Sequence, residues 1–351
     1  MANFGPKDIK KLREATNAGM MDCKKALKAS DGDFDEAIAW LREKGLGAAA
    51  KKAGKVAAEG VVSVKVSDTK AVIVEINSQT DFVAQNETFK AVVAEITGHA
   101  FDSNAVDADA INASEINGQP FAEHLSLKIA TIGENLVVRR AGMIASDDET
   151  VAINGYVHAN SRVAVLLGAK CEDKATADKV RAELKNVAMH AAAMSPSTLS
   201  YEDFDAQFVA DETNGRIEKV KKENEELARL KKPLKNVPSY VSRQQLTEEI
   251  LAEAKTAIEA ELASEGKPEK IWDRIVPGKL DRFISDNTLL DQELALLDQK
   301  YVMDDSVTVG EHIAKISGGK AQITDFIRLE VGEGIVVEEE DFAAEVAKQM
   351  A

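Results

Sequence analysis

The chain has 351 residues, 44% of them apolar and 30% charged, with a formal net charge of −16; that length can bury a large core and allows two or three domains. Sixty acids against forty-four bases and an aromatic content of 5% argue against nucleic acid, whose binding rests on neutralised phosphates and stacking platforms, although local clusters such as Lys51-Lys52 and Lys221-Lys222 exist. No apolar run reaches membrane-spanning length, and Met1-Ala-Asn-Phe-Gly-Pro-Lys lacks the basic-then-apolar pattern of a signal peptide.

Residues 1–45 read as three short helices. Pro6 sits where a first helical residue is favoured, and Ile9 and Leu12 make a narrow apolar stripe. Asn17-Ala-Gly19 breaks the chain before Met20-Met21-Asp22-Cys23-Lys24-Lys25-Ala26-Leu27. Asp33 and Glu36 are placed as a capping box for a third helix, whose face is Phe34, Ala37, Ile38 and Leu41 and whose end is Gly45. The arrangement resembles a three-helix domain of the ubiquitin-associated type. Met20 and Met21 are either core filler or adaptable contact residues, since two neighbours on a helix cannot both point inward. Residues 46–60, small and basic, read as a linker with helical tendency.

The period then changes from helical to alternating. Val62, Val64 and Val66 alternate with Ser63, Lys65 and Ser67, Asp68-Thr69-Lys70 turns, and Ala71-Val-Ile-Val-Glu-Ile76 returns, which is a hairpin signature. Asn77-Ser78-Gln79-Thr80-Asp81-Phe82-Val83 follows, and a helical pattern carried by Phe89, Val92, Val93 and Ile96 leaves it. A strand-to-helix junction holds its connecting residues at the surface between two rigid elements. Two readings of the stretch stand at this point. In one, Thr80 or Asp81 caps the helix and Phe82 packs beneath it as a staple. In the other, the acid and the aromatic form a probe that enters another molecule.

A comparable unit recurs at Val151–Val157 and Val163–Leu167, followed by a helix from about Ala175 to Met194. One later strand matches each unit, Asn135 to Ile144 for the first and Phe326 to Val331 for the second. The expected fold is therefore α+β, with two related halves of antiparallel sheet and packed helices, over 61–148 for the first and over 149–208 with 270–335 for the second. Asp102 to Asn117 reads as a loop with weak helix. Residues 209–269 depart from this pattern. Ile217, Val220, Asn224, Leu227 and Leu234 fall on a heptad seam, Pro233 and Pro238 break the chain, and Leu246, Ile250, Leu251, Ala254 and Ile258 form a second stripe. These predict an antiparallel helical hairpin in coiled-coil style with Asn224 setting its register. Residues 336–351 contain a short amphipathic helix at Phe342-Ala-Ala-Glu-Val346.

Catalytic signatures do not surface. Gly332-Glu-Gly334 and Gly318-Gly319 match neither nucleotide-binding spacing, and no GxSxG elbow occurs. The five histidines are scattered without metal-ligand spacing, and the two cysteines, Cys23 and Cys171, stand far apart, as a reducing cytoplasm would favour. The residues point to a protein that is not an enzyme and carries no cofactor or metal. Thr-Asp-Phe also recurs at Thr324-Asp325-Phe326, where it opens a strand, so context rather than the tripeptide carries the argument.

Four stretches together resemble one family. Asn17-Ala-Gly-Met-Met-Asp-Cys-Lys-Lys-Ala-Leu27, Gln79-Thr-Asp-Phe-Val83, Ile132-Gly-Glu-Asn135 and Phe326-Ile-Arg-Leu-Glu-Val-Gly-Glu-Gly334 look like bacterial translation elongation factor Ts. The resemblance implies a cytoplasmic guanine nucleotide exchange factor for elongation factor Tu, bound in its GDP form or free of nucleotide. It implies that Thr80, Asp81, Phe82 and Val83 dislocate the partner's Mg²⁺, with Phe82 as wedge and Asp81 disturbing the ion's hydrogen-bonded shell. It further implies partner contacts at Leu12, Met20, Met21, His158 and Phe342, and self-association as a homodimer through the helical hairpin, with neither nucleic acid nor membrane as partner. The excursion is longer than usual for that family, chiefly at about 209–245, and Ser78 stands where relatives often carry Cys. The competing function is an interaction scaffold that holds a GTPase without altering its nucleotide.

Overall fold

A computed structural model describes residues 4–16 and 18–336. Its secondary structure is mixed, helices with small antiparallel sheets, and it divides into two compact units: the chain up to Leu167 together with the segment from Ile327, and Gly168–Phe326.

The first unit begins with α1 (Pro6–Thr16), α2 (Met20–Ala29) and α3 (Phe34–Lys52). Leu12, Cys23, Leu27, Ala37 and Leu41 close a small core between them. Asp33 caps α3 by accepting from the Glu36 amide at 2.9 Å. Contrary to the expected stop at Gly45, α3 runs through what reads as a linker. The Ala48–Lys52 stretch is made of strong helix formers, and Gly45 continues the helix because α7 crosses it there. A Cβ at Gly45 would lie 2.9 Å from Leu127 Cδ2, so the glycine serves close approach rather than termination.

β1 (Glu59–Val66) and β2 (Lys70–Ser78) form the expected hairpin, in the register Val62↔Glu75 and Val64↔Ile73. After β2 come α4 (Asp81–Gln85), α5 (Glu87–Asp102), α6 (Ala108–Asn112), the short pair β3 (Glu115–Ile116) and β4 (Gln119–Pro120), and α7 (Phe121–Ile132). β5 (Val137–Ala145) then pairs with the free side of β2. The helical pattern after the turn is thus broken in two at Asn86, whose side chain accepts from the Thr88 amide at 2.7 Å and starts α5. β6 (Val151–Val157) and β7 (Val163–Cys171) form the second hairpin.

The helices that follow lie in the second unit: α8 (Lys174–Met194), α9 (Ala206–Arg229), α10 (Glu248–Ser264), α11 (Trp272–Asp286) and α12 (Leu289–Leu294). The small hairpin β8 (Lys300–Tyr301) and β9 (Asp304–Thr308) precedes α13 (Val309–Ser317), and β10 (Ala321–Glu330) ends the described strands. β10 starts at Ala321, so Thr324-Asp325-Phe326 lies inside the strand instead of opening it.

The repeat is real at the level of pairing. The first sheet has the order β1-β2-β5 and the second β10-β7-β6, so in each a hairpin's second strand is the centre and a later strand completes the sheet. Within the first unit, Val72, Val74 and Ile76 face Phe89, Val93 and Ile96. The alternate residues Ala71 and Ile73 meet Ile153, Leu166 and Leu329 of the second sheet. Burial on both faces is why β2 reads as an almost continuous apolar run.

The predicted coiled-coil hairpin is not what forms. α10 packs on α11 rather than along α9, and Lys279 Nζ meets Glu261 at 2.6 Å across that pair. Asn224 donates to the Lys235 carbonyl at 2.8 Å and accepts from its amide at 2.7 Å. It therefore ties the returning chain, broken by Pro233 and Pro238, back against α9. Lys231 turns that return in a left-handed conformation (φ 54°). The heptad seam was a half-buried face covered by an irregular segment, and a seam pattern alone cannot tell the two covers apart.

Candidate functional site

β2 delivers a buried chain end, with Asn77 and Ser78 wholly covered, to a tip that leaves the protein. Thr80 is extended (φ −124°, ψ 153°) and its hydroxyl accepts from the Val83 amide at 3.3 Å, which starts α4. Its carbonyl accepts from the Ala84 amide at 3.2 Å and from the Ser78 hydroxyl at 3.1 Å. Ala84 is buried and Val83 half-buried against the helix-side core. These anchors leave Phe82 at 82% relative exposure. The staple alternative is thereby removed. Thr80 caps, but Phe82 does not pack beneath it. Asp81 is exposed in the first turn of α4 and makes no hydrogen bond or ion pair among the described residues.

A residue that sequence reasoning gave no role meets this tip. Glu134 Oε2 accepts from the amides of Gln79 and Thr80 at 3.0 and 3.1 Å, and Glu134 Oε1 accepts from the Thr80 hydroxyl at 2.7 Å. Glu134 follows Gly133, which closes α7 in a left-handed conformation (φ 88°) that glycine adopts without strain. The available signal was its place in Ile132-Gly-Glu-Asn135, a helix end followed by an acid.

The remaining sequence-predicted residues are placed unequally. Leu12 is fully buried in the three-helix core, where it offers no surface to a partner. Met20 and Met21 are both exposed, at 58% and 63%, so of the two readings offered for them the core-filler one falls. Met20 lines a groove of about 710 Å³ with Arg13, Glu87, Thr88 and Ala91, which brings α2 to the start of α5 and hence beside the tip element. His158 is exposed at the β6–β7 turn, with the Tyr156 hydroxyl 3.3 Å from Nδ1 and the two rings edge to face. The turn residues Val157, Ala159 and Ser161 line a second groove, about 510 Å³, with Ala84 and Gln85 of α4. Phe342 lies outside the described residues.

The other histidines are occupied in packing. His99 meets Ser114 Oγ at 2.7 Å, His190 meets Gln299 Oε1 at 3.0 Å, and His312 meets Glu183 at 2.9 Å. Burial pushes His124 and His190 below their ordinary values. Among the described residues no three of His, Cys, Asp and Glu are grouped to hold a metal ion, both cysteines are buried, and no helix is long and apolar enough to cross a membrane. The described surface thus presents an exposed, hydrogen-bonded tip with two grooves beside it.

An exposed apolar ring beside an exposed acid suits contact with another macromolecule better than a small-molecule pocket. Comparison with known proteins shows the family. A family model described as Elongation factor TS matches residues 79–236 and 234–333. The chain is 66% identical to Elongation factor Ts of a Sulfurovum species over 100% of both chains. It is 54% identical to that of Aliarcobacter butzleri, over 100% of this chain and 99% of the relative, and 50% identical to that of Helicobacter pylori over 100% of both. The chain belongs to the elongation factor Ts family and is a translation elongation factor.

Proposed function

We propose that the chain promotes GDP release from elongation factor Tu, whose GDP-bound or nucleotide-free form is its partner, and that it does so without making or breaking a covalent bond. The observation that carries this is Phe82, an apolar ring left 82% exposed on a turn whose neighbours are anchored. An exposed ring of two side-chain torsions is a wedge that loses little entropy on insertion. Mg²⁺ demands near-ideal octahedral oxygen geometry and keeps several waters. Asp81, without a hydrogen bond or ion pair among the described residues and next to the wedge, is positioned to disturb that shell, and weakening the ion removes charge that holds the diphosphate. Met20, Met21 and His158, all exposed, supply further partner contacts. By linkage, whatever loosens nucleotide when the factor binds must loosen the factor when nucleotide binds, so incoming nucleotide ejects it and the cycle repeats.

The test is release of fluorescently labelled GDP from elongation factor Tu. The native chain is expected to accelerate it, and Phe82→Ala to lose most of the acceleration. Tight binding with unchanged release would instead make the chain a scaffold and sink the exchange reading.

A further inference from the structure

We propose that Glu134 is the positioning residue of the tip, an inference that rests on the exchange reading: its carboxylate fixes Gln79 and Thr80 so that Asp81 and Phe82 stand in their working orientation before the partner arrives. The ladder around β2 ends just before the tip. Ser78 is the last residue paired with β1, and Asn77 the last paired with β5. The amides of Gln79 and Thr80 therefore have no strand to bond to, and both donate to Glu134 Oε2 at 3.0 and 3.1 Å. The other carboxylate oxygen takes the Thr80 hydroxyl at 2.7 Å, the shortest bond of the set. A charged acceptor makes each of these stronger than its neutral counterpart.

α4 needs such help. It has five residues, one turn, and a single turn is unfavourable by itself because nucleation fixes several dihedrals for one bond. Its cap bond, from the Val83 amide to Thr80 Oγ1, is 3.3 Å long. With the hydroxyl proton committed to Glu134, the Thr80 oxygen keeps its lone pairs for that amide. Phe82 gains nothing from its own packing, being exposed, so its direction is set by the backbone of the turn alone. Ordering that backbone in the free protein removes the cost of ordering it on contact.

Glu134 is itself held. Lys52 Nζ bonds the Gly133 carbonyl, and Asn135 Nδ2 bonds the Lys55 carbonyl at 2.9 Å. α7 lies along α3, with Gly45 at the crossing. One rigid path thus runs from the three-helix module that carries Met20 and Met21, through α3 and the end of α7, to Glu134 and the tip. A contact made at the methionines and a contact made at Phe82 are kept in fixed relation by the carboxylate.

The test uses the full chain and labelled GDP on elongation factor Tu, reading the release rate at saturating factor separately from the concentration giving half of it. Glu134→Ala is expected to lower the saturating rate on the order of tenfold, within the roughly hundredfold that a misplaced group can cost, and to move the half-saturating concentration by no more than about threefold. Glu134→Gln is expected to keep a rate between those of native and Ala, because its amide oxygen can still accept both backbone N–H groups while its NH₂, a donor only, cannot accept the Thr80 hydroxyl proton. A Phe82→Trp reporter should show lower fluorescence anisotropy with Glu134→Ala than with Glu134 or Gln. Where Glu134→Ala melts below the assay temperature, Glu134→Asp replaces it, with the same split expected at smaller size. A folded Ala or Asp variant with the native saturating rate overturns the proposal, as does a Gln variant as impaired as Ala. If the native chain itself fails to accelerate release, it is the exchange reading that falls; if Phe82→Ala loses the acceleration while Glu134→Ala keeps the native saturating rate, only the positioning role falls.

Discussion

Arg140 Nε lies 2.5 Å from Glu75 Oε2 across the β2–β5 ladder, although Glu75 has no exposed surface at all. The neighbouring Arg139 reaches the same carboxylate, with Nη1 at 3.1 Å from both oxygens. Adjacent strand residues normally point to opposite faces, and the exception has a cause. Glu75 pairs with Arg140 but Ile76 pairs with Val138, so Arg139 is the extra residue of a bulge and both guanidinium groups turn to one side. The Gly332 amide completes the shell of Glu75 at 2.9 Å, and Arg140 also reaches Glu333 at 2.8 Å. The carboxylate that sits three residues before the end of the tip-bearing strand therefore also fastens the chain that leaves β10.

Removing Glu75 takes the shared carboxylate from two partly buried cations, leaving Arg140 with Glu333 and Arg139 with a carbonyl only. Glu75→Ala is expected to cost about 3–5 kcal/mol, the scale for breaking one side of a buried ion pair. Urea unfolding checks it. A loss under about 1 kcal/mol would mean that the two arginines are solvated well enough without their carboxylate.

Phe82→Ala separates stability from function. At 82% exposure the ring contributes almost nothing to the fold, and the substitution should leave the unfolding free energy within about 0.5 kcal/mol of native. Its whole effect should fall on GDP release. A marked drop in melting temperature would show that the ring packs in solution and would return it to the staple role.

The sequence carried the sheets because a change of period from helical to alternating is a local signal, and Val62, Val64 and Val66 show it within one strand. It carried the repeated hairpins for the same reason. It could not orient Phe82, since a staple and a wedge are written with the same residues and differ only in which neighbours are anchored. Glu134 was out of reach for another reason. It meets Thr80 across 54 positions, and nothing in a single chain marks an acid at a helix end as the acceptor for a distant turn. Leu12 shows the opposite error, in which a stripe residue offered as a contact proved to be the centre of a small core.

Asn224 offers a test of the region that differed most. Its two bonds to Lys235 close the return segment onto α9, so Asn224→Ala should speed amide hydrogen exchange around Lys235 and cost about 1–2 kcal/mol at most, the scale of two partly exposed hydrogen bonds. Had it set the register of a helical pair, the protection of α10 would fall instead. Exchange that rises in α10 and stays unchanged near Lys235 would contradict the observed pairing.

Asp298 yields a prediction with a pH signature. Burial, and then the Asp291 carboxylate nearby, push its carboxyl up from 3.8 to about 6, against a hydrogen bond with the Tyr201 backbone that pulls it down. Asp291 is raised in the same direction, again chiefly by burial, while bonding the Arg243 amide at 2.6 Å. A folded-state value above the unfolded one means that the folded protein binds the proton more tightly. The protonated carboxyl therefore contributes stability below about pH 3.8, and that contribution is lost as pH rises through about 6. Asp298→Asn keeps the uncharged form at every pH. Relative to native, it should gain stability progressively between about pH 4 and 6 and hold a plateau of about 1–2 kcal/mol above that, allowing for the group's partial exposure. Melting curves from pH 4 to 8 measure the difference. The lowered His124 and His190 act in the opposite sense, losing stability as pH falls below 6.5, but they are common to both proteins and cancel in the comparison. A difference that is flat across this range would mean that Asp298 ionises as freely in the folded chain as in the unfolded one.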